Sequence, residues 1–205
     1  MARLNVNPTR QELLKLKKKL KTAQKGHKLL KEKRDGLMKE FLSIIRKAKE
    51  LRTQIENDLA EAFEYYVFAS AGTQDQVLQE SFMAPTQTIE LQASTKNIMS
   101  VNIPVFEYKK KGDFLCYGFT ETSGELDQAL QNFSKTLKNM VELAQIEHSA
   151  KLLAQEIEKT RRRVNALEHV FIPNMRETSK YIYSKLSEQE RGAQVALMKV
   201  KESME

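Results

Sequence analysis

The sequence predicts a mainly α protein: a long antiparallel two-helix coiled coil formed by the N- and C-terminal segments, with a small β-hairpin-like element at the distal end. Three observations lead there. Turn formers are scarce, with 7 Gly and 4 Pro in 205 residues, roughly 3% and 2% where about 7% and 5% are usual. Charged residues make up 30% of the chain, which argues against an all-β domain or a loop-rich enzyme and suits long helices. Finally, apolar residues recur at 3-4 spacing in two long stretches, one towards each end.

The first stretch places Leu13, Leu16, Leu20, Ala23, His27, Leu30, Arg34, Leu37, Phe41, Ile44, Ala48, Leu51 and Ile55 on one seam, and eleven of the thirteen are apolar. Thr9 followed by Glu12, just after Pro8, has the spacing of a capping box, and Gly72 after Ala69-Ser70-Ala71 is the expected stop. The polar seam residues His27 and Arg34 read as register markers or as side chains that snorkel outward. In the second stretch Thr122 and Glu125 repeat the capping spacing. Leu126, Leu130, Phe133, Leu137 and Met140 then keep helical period, and a shifted frame runs through Leu143, Ile146, Ala150, Leu153, Ile157, Thr160, Val164, Leu167 and Phe171. The frame change between Met140 and Leu143 has the form of a stammer. Pro173 kinks or interrupts the helix, and a weaker periodic run (Tyr181, Ile182, Leu186) follows. Residues 11–68 as one helix would span about 87 Å at ~1.5 Å per residue, so an elongated molecule with both chain ends at one tip is expected.

Between the helices the pattern changes. Residues 73–83 suggest a short helix before Ala84-Pro85. Ile89, Leu91 and Ala93 alternate with polar residues, as do Met99, Val101, Ile103 and Val105, which is a strand signal. Pro104 points to an edge position. Phe114-Leu115-Cys116-Tyr117, after the turn signal Lys111-Gly112-Asp113, reads as a third short strand. The expected divisions are residues 1–72, 73–121 and 122–205.

Several functions are disfavoured. No run of ~18 apolar residues exists, so no membrane span is expected. Met1-Ala2-Arg3-Leu4-Asn5 has no signal-peptide character. Cys116 is the single cysteine and reads as a small core residue in a reducing compartment. His27, His148 and His169 are far apart, and neither a metal-ligand spacing nor a phosphate-binding glycine loop is present. Glu61 and Glu64 read as a solvated helix face. No active site, metal or cofactor is expected.

Charge says more. The chain holds 34 Lys and Arg against 27 Asp and Glu, a net +7, yet residues 1–35 alone carry twelve against three. Lys15, Lys17, Lys18, Lys19, Lys21, Lys25, Lys28, Lys31 and Lys33 all avoid the seam and spread around the helix as a collar. Arg161, Arg162 and Arg163 form a second cluster on the returning helix. Such charge reads as a solvated surface, as an electrostatic fit to an acidic partner, or as a nucleic-acid footprint. The last is weakened because no aromatic precedes Phe41 to stack on bases.

Two separated motifs add a resemblance. One is the run Asn7-Pro8-Thr9-Arg10, Leu13, Leu20, Ala23, Gly26-His27, Leu29-Leu30-Lys31, Lys33-Arg34-Asp35 and Leu37. The other is Arg161 to Glu168, Ile172-Pro173, Tyr181-Ile182, Leu186 and Glu190-Arg191. Together they resemble the D-subunit family of the V-type (V/A-type) rotary ATPases, whose members form the central rotor shaft. Gly192-Ala193-Gln194 departs from the charged helical run usual there. The resemblance implies a non-catalytic subunit, cytoplasmic and peripheral to the membrane. Its coiled coil would stand in a hexamer of catalytic and nucleotide-binding subunits (A and B). It would also join a companion subunit (F) and a socket subunit on the membrane ion-carrying ring, with no direct membrane insertion and no nucleic acid. Lys15, Lys17, Lys18, Lys19, Lys21 and Arg161 to Arg163 are then the expected stator contacts, and residues 40–66 with 130–155 the expected seat of F. The alternative is a basic coiled coil that binds nucleic acid or serves as a scaffold.

Overall fold

The computed structural model describes residues 5–83, 85–113, 115, 117–118 and 122–204, the side chain of Asp75 excepted. In chain order they form α1 (Arg10–Gly72), α2 (Asp75–Phe82), the strands β1 (Thr88–Ile98) and β2 (Val101–Lys111), α3 (Gly124–Ala166), a π-helical turn (Leu167–Phe171) and α4 (Ile172–Glu202). The N-terminal helix packs against the C-terminal helices, and the strands form one two-stranded antiparallel sheet. The chain divides into two compact units: residues 1–36 with 157–205, and residues 37–156.

In the first unit α1 begins where the Glu12 N–H donates to Thr9 Oγ1 at 3.3 Å and Leu13 N–H to the Thr9 carbonyl at 3.0 Å. Leu13 and Leu16 are buried, and Leu20, Ala23, His27 and Leu30 are half-buried. Ile157, Thr160, Val164, Thr178 and Ile182 are buried on the returning side, while Leu167 is half-buried. Arg10 pairs with Glu190 and His27 with Glu168. Rising numbers thus meet falling ones, and the two helices run antiparallel.

The turn before Pro173 explains a departure from the simple heptad. Proline has no N–H and its ring crowds the carbonyl four residues back. The helix relieves this one turn earlier, where Ile172 donates to Leu167 five residues away. Val170 and Phe171 stand 51% and 52% exposed, so Phe171 is not the seam residue that its spacing suggested. Helix α4 then continues to Glu202, through Gly192-Ala193-Gln194.

In the second unit Leu37 and Ile55 are buried, and Phe41, Ile44, Ala48 and Leu51 are half-buried. Beyond Ile55, Ala62 and Ala69 are buried, with Leu59 and Tyr66 half-buried between them. Two four-residue steps therefore follow one another at Ile55, a stutter that locally unwinds a supercoil. Leu126, Ala129, Thr136, Ser149 and Leu153 are buried on α3, and Ile146 is half-buried. Met140 is 42% exposed while Asn139 beside it is half-buried, so the methionine does not continue the inner face that its helical period suggests. Arg52 pairs with Glu147 at 3.2 Å, and Phe63 meets Phe133 edge to face at 5.3 Å between centroids, again antiparallel. Buried hydroxyls on these helices bond within their own turn: Thr136 to Asn132 O, Ser149 to Gln145 O and Thr178 to Asn174 O, at 2.7–2.9 Å. This satisfies a polar group in a dry seam.

A small core closes the unit, where Ala69, Leu78 and Leu126 pack with Tyr66, Tyr117 and Leu130. The expected capping box at Thr122 does not form, because α3 begins at Gly124 and puts Ser123 in the cap position, where its carbonyl receives the Leu126 N–H; the Thr122 hydroxyl donates to Gly118 O at 3.0 Å. The hairpin is longer than its alternation suggested. Its register pairs Thr88 with Lys111 through to Ile98 with Val101, so Met99 lies in the turn and not in a strand. Met99 and Ser100 both have positive φ, 49° and 70°, the two-residue type I′ geometry that glycine and asparagine favour. The Ser100 N–H donates to Asn97 Oδ1, and Asn97 donates to Asn102. At the other end Gly112 has φ +86°, and a Cβ there would lie 2.5 Å from the Thr86 carbonyl. Only glycine fits. The expected third strand falls partly outside the described residues, since Phe114 and Cys116 are not among them, and Leu115 and Tyr117 belong to no strand.

Leu153 is fully buried and Leu29 is 65% exposed. Leu153→Ala is expected to cost about 2–5 kcal/mol and Leu29→Ala no more than about 0.5 kcal/mol, measured by urea unfolding.

Candidate functional site: the basic helix pair

The two units differ sharply in charge. Residues 1–36 and 157–205 contain 22 Lys and Arg against 10 Asp and Glu, a net +12, whereas residues 37–156 contain 12 against 17, a net −5. The basic first turns of α1 are visible in the sequence. That the end of α3 and α4 add to them is not, because it requires knowing which segments pair.

Lys15, Lys17, Lys18, Lys19 and Lys21 are all exposed, as are Arg161, Arg162 and Arg163. Two of these cations are held by nearby carboxylates on their own helix, Lys15 by Glu12 at 2.8 Å and Arg162 by Glu158. Such exposed pairs contribute at most about 1 kcal/mol. The surface therefore offers long-range positive potential, not a rigid lattice of ion pairs.

Two shallow grooves interrupt it. Arg10, Leu13, Leu14, Tyr183, Leu186, Ser187 and Glu190 line one of about 290 Å³. Lys17, Leu20, Arg176, Ser179, Lys180 and Tyr183 line another of the same size. Tyr183 is 65% exposed and belongs to both. Beyond Glu190, Val195, Leu197, Met198 and Val200 are 52–70% exposed, which leaves an apolar helix end on a basic unit.

His27 and Arg34 are both half-buried. His27 Nε2 lies 3.2 Å from Glu168 Oε2, at the start of the π turn, so this polar seam residue is tied to the opposite helix. Arg34 is bound instead by its neighbour Asp35 at 2.8 Å. In the second unit Met38, Leu42 and Ile45 follow one another at helical spacing on α1 and are 39–49% exposed, an apolar stripe outside the seam. Glu61 and Glu64 are exposed. Among the described residues no helix is long and apolar enough to cross a membrane.

Gly26 lies in the interior of α1, where a Cβ would meet nothing within 4 Å. Packing inside the chain does not require it. Gly26→Ala is expected to stabilise the protein by about 0.5–1 kcal/mol through helix propensity, read as a rise in Tm of about 1–4 °C.

Comparison with known proteins matches residues 12–202 to the family of the ATP synthase D subunit. The chain is 53% identical to the V-type ATP synthase D subunit of Clostridioides difficile (strain 630), over 98% of this chain and 92% of that one. It is 53% identical to the protein of the same description from Acetivibrio thermocellus, over 100% and 94%. The Clostridium novyi (strain NT) counterpart is 48% identical, over 100% and 97%.

Proposed function

We infer, the chain belonging to the family of the ATP synthase D subunit, that it is the central-stalk rotor of a V-type rotary ATPase. In this role it transmits torque between the catalytic hexamer and the membrane ion-carrying ring, and couples ATP hydrolysis or synthesis to ion transport. It is a non-catalytic subunit, cytoplasmic and peripheral to the membrane. ATP chemistry takes place in the surrounding A and B subunits, and the chain joins F and the socket subunit away from them.

The observation that carries this reading is the basic unit, net +12, built on a helix pair. A pair of helices has no threefold symmetry, so three catalytic interfaces around it would each meet a different face. Exposed cations spread around α1 can make weak contacts of similar strength at every angle, whereas one strong patch would hold the rotor at a single angle. The stator contacts are Lys15, Lys17, Lys18, Lys19, Lys21, Arg161, Arg162 and Arg163. The stripe of Met38, Leu42 and Ile45 lies near the start of the segment assigned to F, residues 40–66 with 130–155, and supplies apolar area for it.

The alternative of nucleic-acid binding keeps one support. Phe171 and Tyr183 are exposed aromatics of the basic unit, so the lack of an aromatic before Phe41 does not remove stacking partners. Family membership favours the rotor. Changing Lys15, Lys17, Lys18 and Lys19 to Glu is expected to weaken assembly with the A and B hexamer and lower coupled ATPase activity, most strongly at low salt, where screening is least. Unchanged coupling at low ionic strength, or a salt-dependent affinity for DNA or RNA at physiological ionic strength, would overturn the reading. Deleting residues 86–118 is expected to leave F bound and to reduce ATPase stimulation. Loss of F in a pull-down would contradict the assigned seat.

A further inference from the structure

The two edges of the hairpin are treated differently. Phe106 donates its N–H to Gln145 Oε1 of α3 at 2.8 Å, so its backbone groups point away from β1. Antiparallel pairs alternate, and the register then gives the same outward direction to Pro104 on β2 and to Ile89, Leu91, Ala93, Thr95 and Asn97 on β1. Pro104 thus costs the ladder nothing and blunts the outer edge of β2. The outer edge of β1 has neither device. Every residue from Thr88 to Asn97 is exposed, the strand contains no proline, and among the described residues its outward N–H and C=O groups have no partner strand. An edge of this kind is a template for another strand.

We propose that this edge pairs with β1 of a second copy of the chain, antiparallel about a two-fold axis at Ala93. The sequence of β1 is self-complementary in that register. Ala93 is the midpoint of Thr88–Ile98, so all eleven residues overlap. The same register sets Glu90 opposite Lys96 of the other strand, twice, once on each side of the axis. Shifting the axis to Gln92 or Ser94 shortens the overlap and separates those charges. Ile89, Leu91 and Ala93 lie on the face of Phe106 and Tyr108, so pairing would also extend one apolar face across four strands. The inference does not depend on the rotary reading and concerns the subunit outside its complex, where this edge is otherwise bare.

The test uses the full chain with Cys116→Ser as background. Sedimentation velocity is expected to show a monomer–dimer equilibrium that Ala93→Pro weakens at least about tenfold, because proline removes an outward donor while the inner ladder keeps its bonds, as at Pro104. Ala93→Cys places two thiols at a hydrogen-bonded pair with Cα atoms about 5.5 Å apart, within disulfide reach, and is expected to cross-link under mild oxidation. Thr95→Cys, which faces Leu91 of the other copy, is not. A protein that stays monomeric at all concentrations, cross-linking of Thr95→Cys as fast as of Ala93→Cys, or a dimer indifferent to Ala93→Pro would overturn the proposal. Circular dichroism and hairpin amide exchange check that the Ala93→Pro variant keeps its fold.

Discussion

Everything in this protein follows from having two helical stripes that can be dried only against each other. A helix pair has one seam, and only the residues at its 3-4 positions can leave water; each fully buried aliphatic side chain there contributes about 1.5–3 kcal/mol. Among the described residues, further cover comes only from α2, whose Leu78 packs with Ala69 and Leu126, and from the hairpin, where Val101 and Ile103 are buried. This is why Leu37, Leu153 and Ile182 are fully buried while Leu14, Leu29 and Val67 remain 60–65% exposed. It also frees most of the surface for charge.

That surface is not used uniformly. The unit that holds both chain ends is strongly basic, and the unit that holds the hairpin is mildly acidic. Each local ion pair is weak, so the difference acts through the summed field of each unit and not through any one contact. Apolar side chains left outside the seam fall into a few groups: the stripe at Met38, Leu42 and Ile45, the exposed turn at Val170 and Phe171, and the helix end from Val195 to Val200. A protein built to work within an assembly keeps such areas open, and the proposed rotor role gives them partners.

Most of the fold is legible in the sequence because helical burial is periodic. Thr9, Glu12 and Gly72 mark the ends of α1, and the 3-4 pattern from Leu13 to Ile55 marks its inner face. Phe171 escapes that pattern because Pro173 acts at a distance, widening the preceding turn and turning the phenylalanine out. Thr122 fails as a cap because α3 begins at Gly124, which leaves Ser123 and not Thr122 in the cap position. The stutter after Ile55 is hidden, since Ala62 and Ala69 are too small to stand out in a hydrophobic pattern, yet both are fully buried. Met99 and Ser100 hide the hairpin turn for a related reason: neither is the asparagine or glycine that positive φ favours. Of the candidate site, the lysines are visible as a composition shift, but the grooves beside Tyr183 depend on side chains brought together from both helices.

The buried hydroxyls of Thr136, Ser149 and Thr178 have a mechanical consequence. Each closes its hydrogen bond on a carbonyl four residues earlier in its own helix, so none of these three bonds stretches when one strand is wound about the other. Each of these bonds satisfies its hydroxyl locally, and dispersion contacts across the seam, individually weak, act collectively. Polar groups buried this way leave the two helices held together by packing, with no need for a matching polar partner on the facing helix.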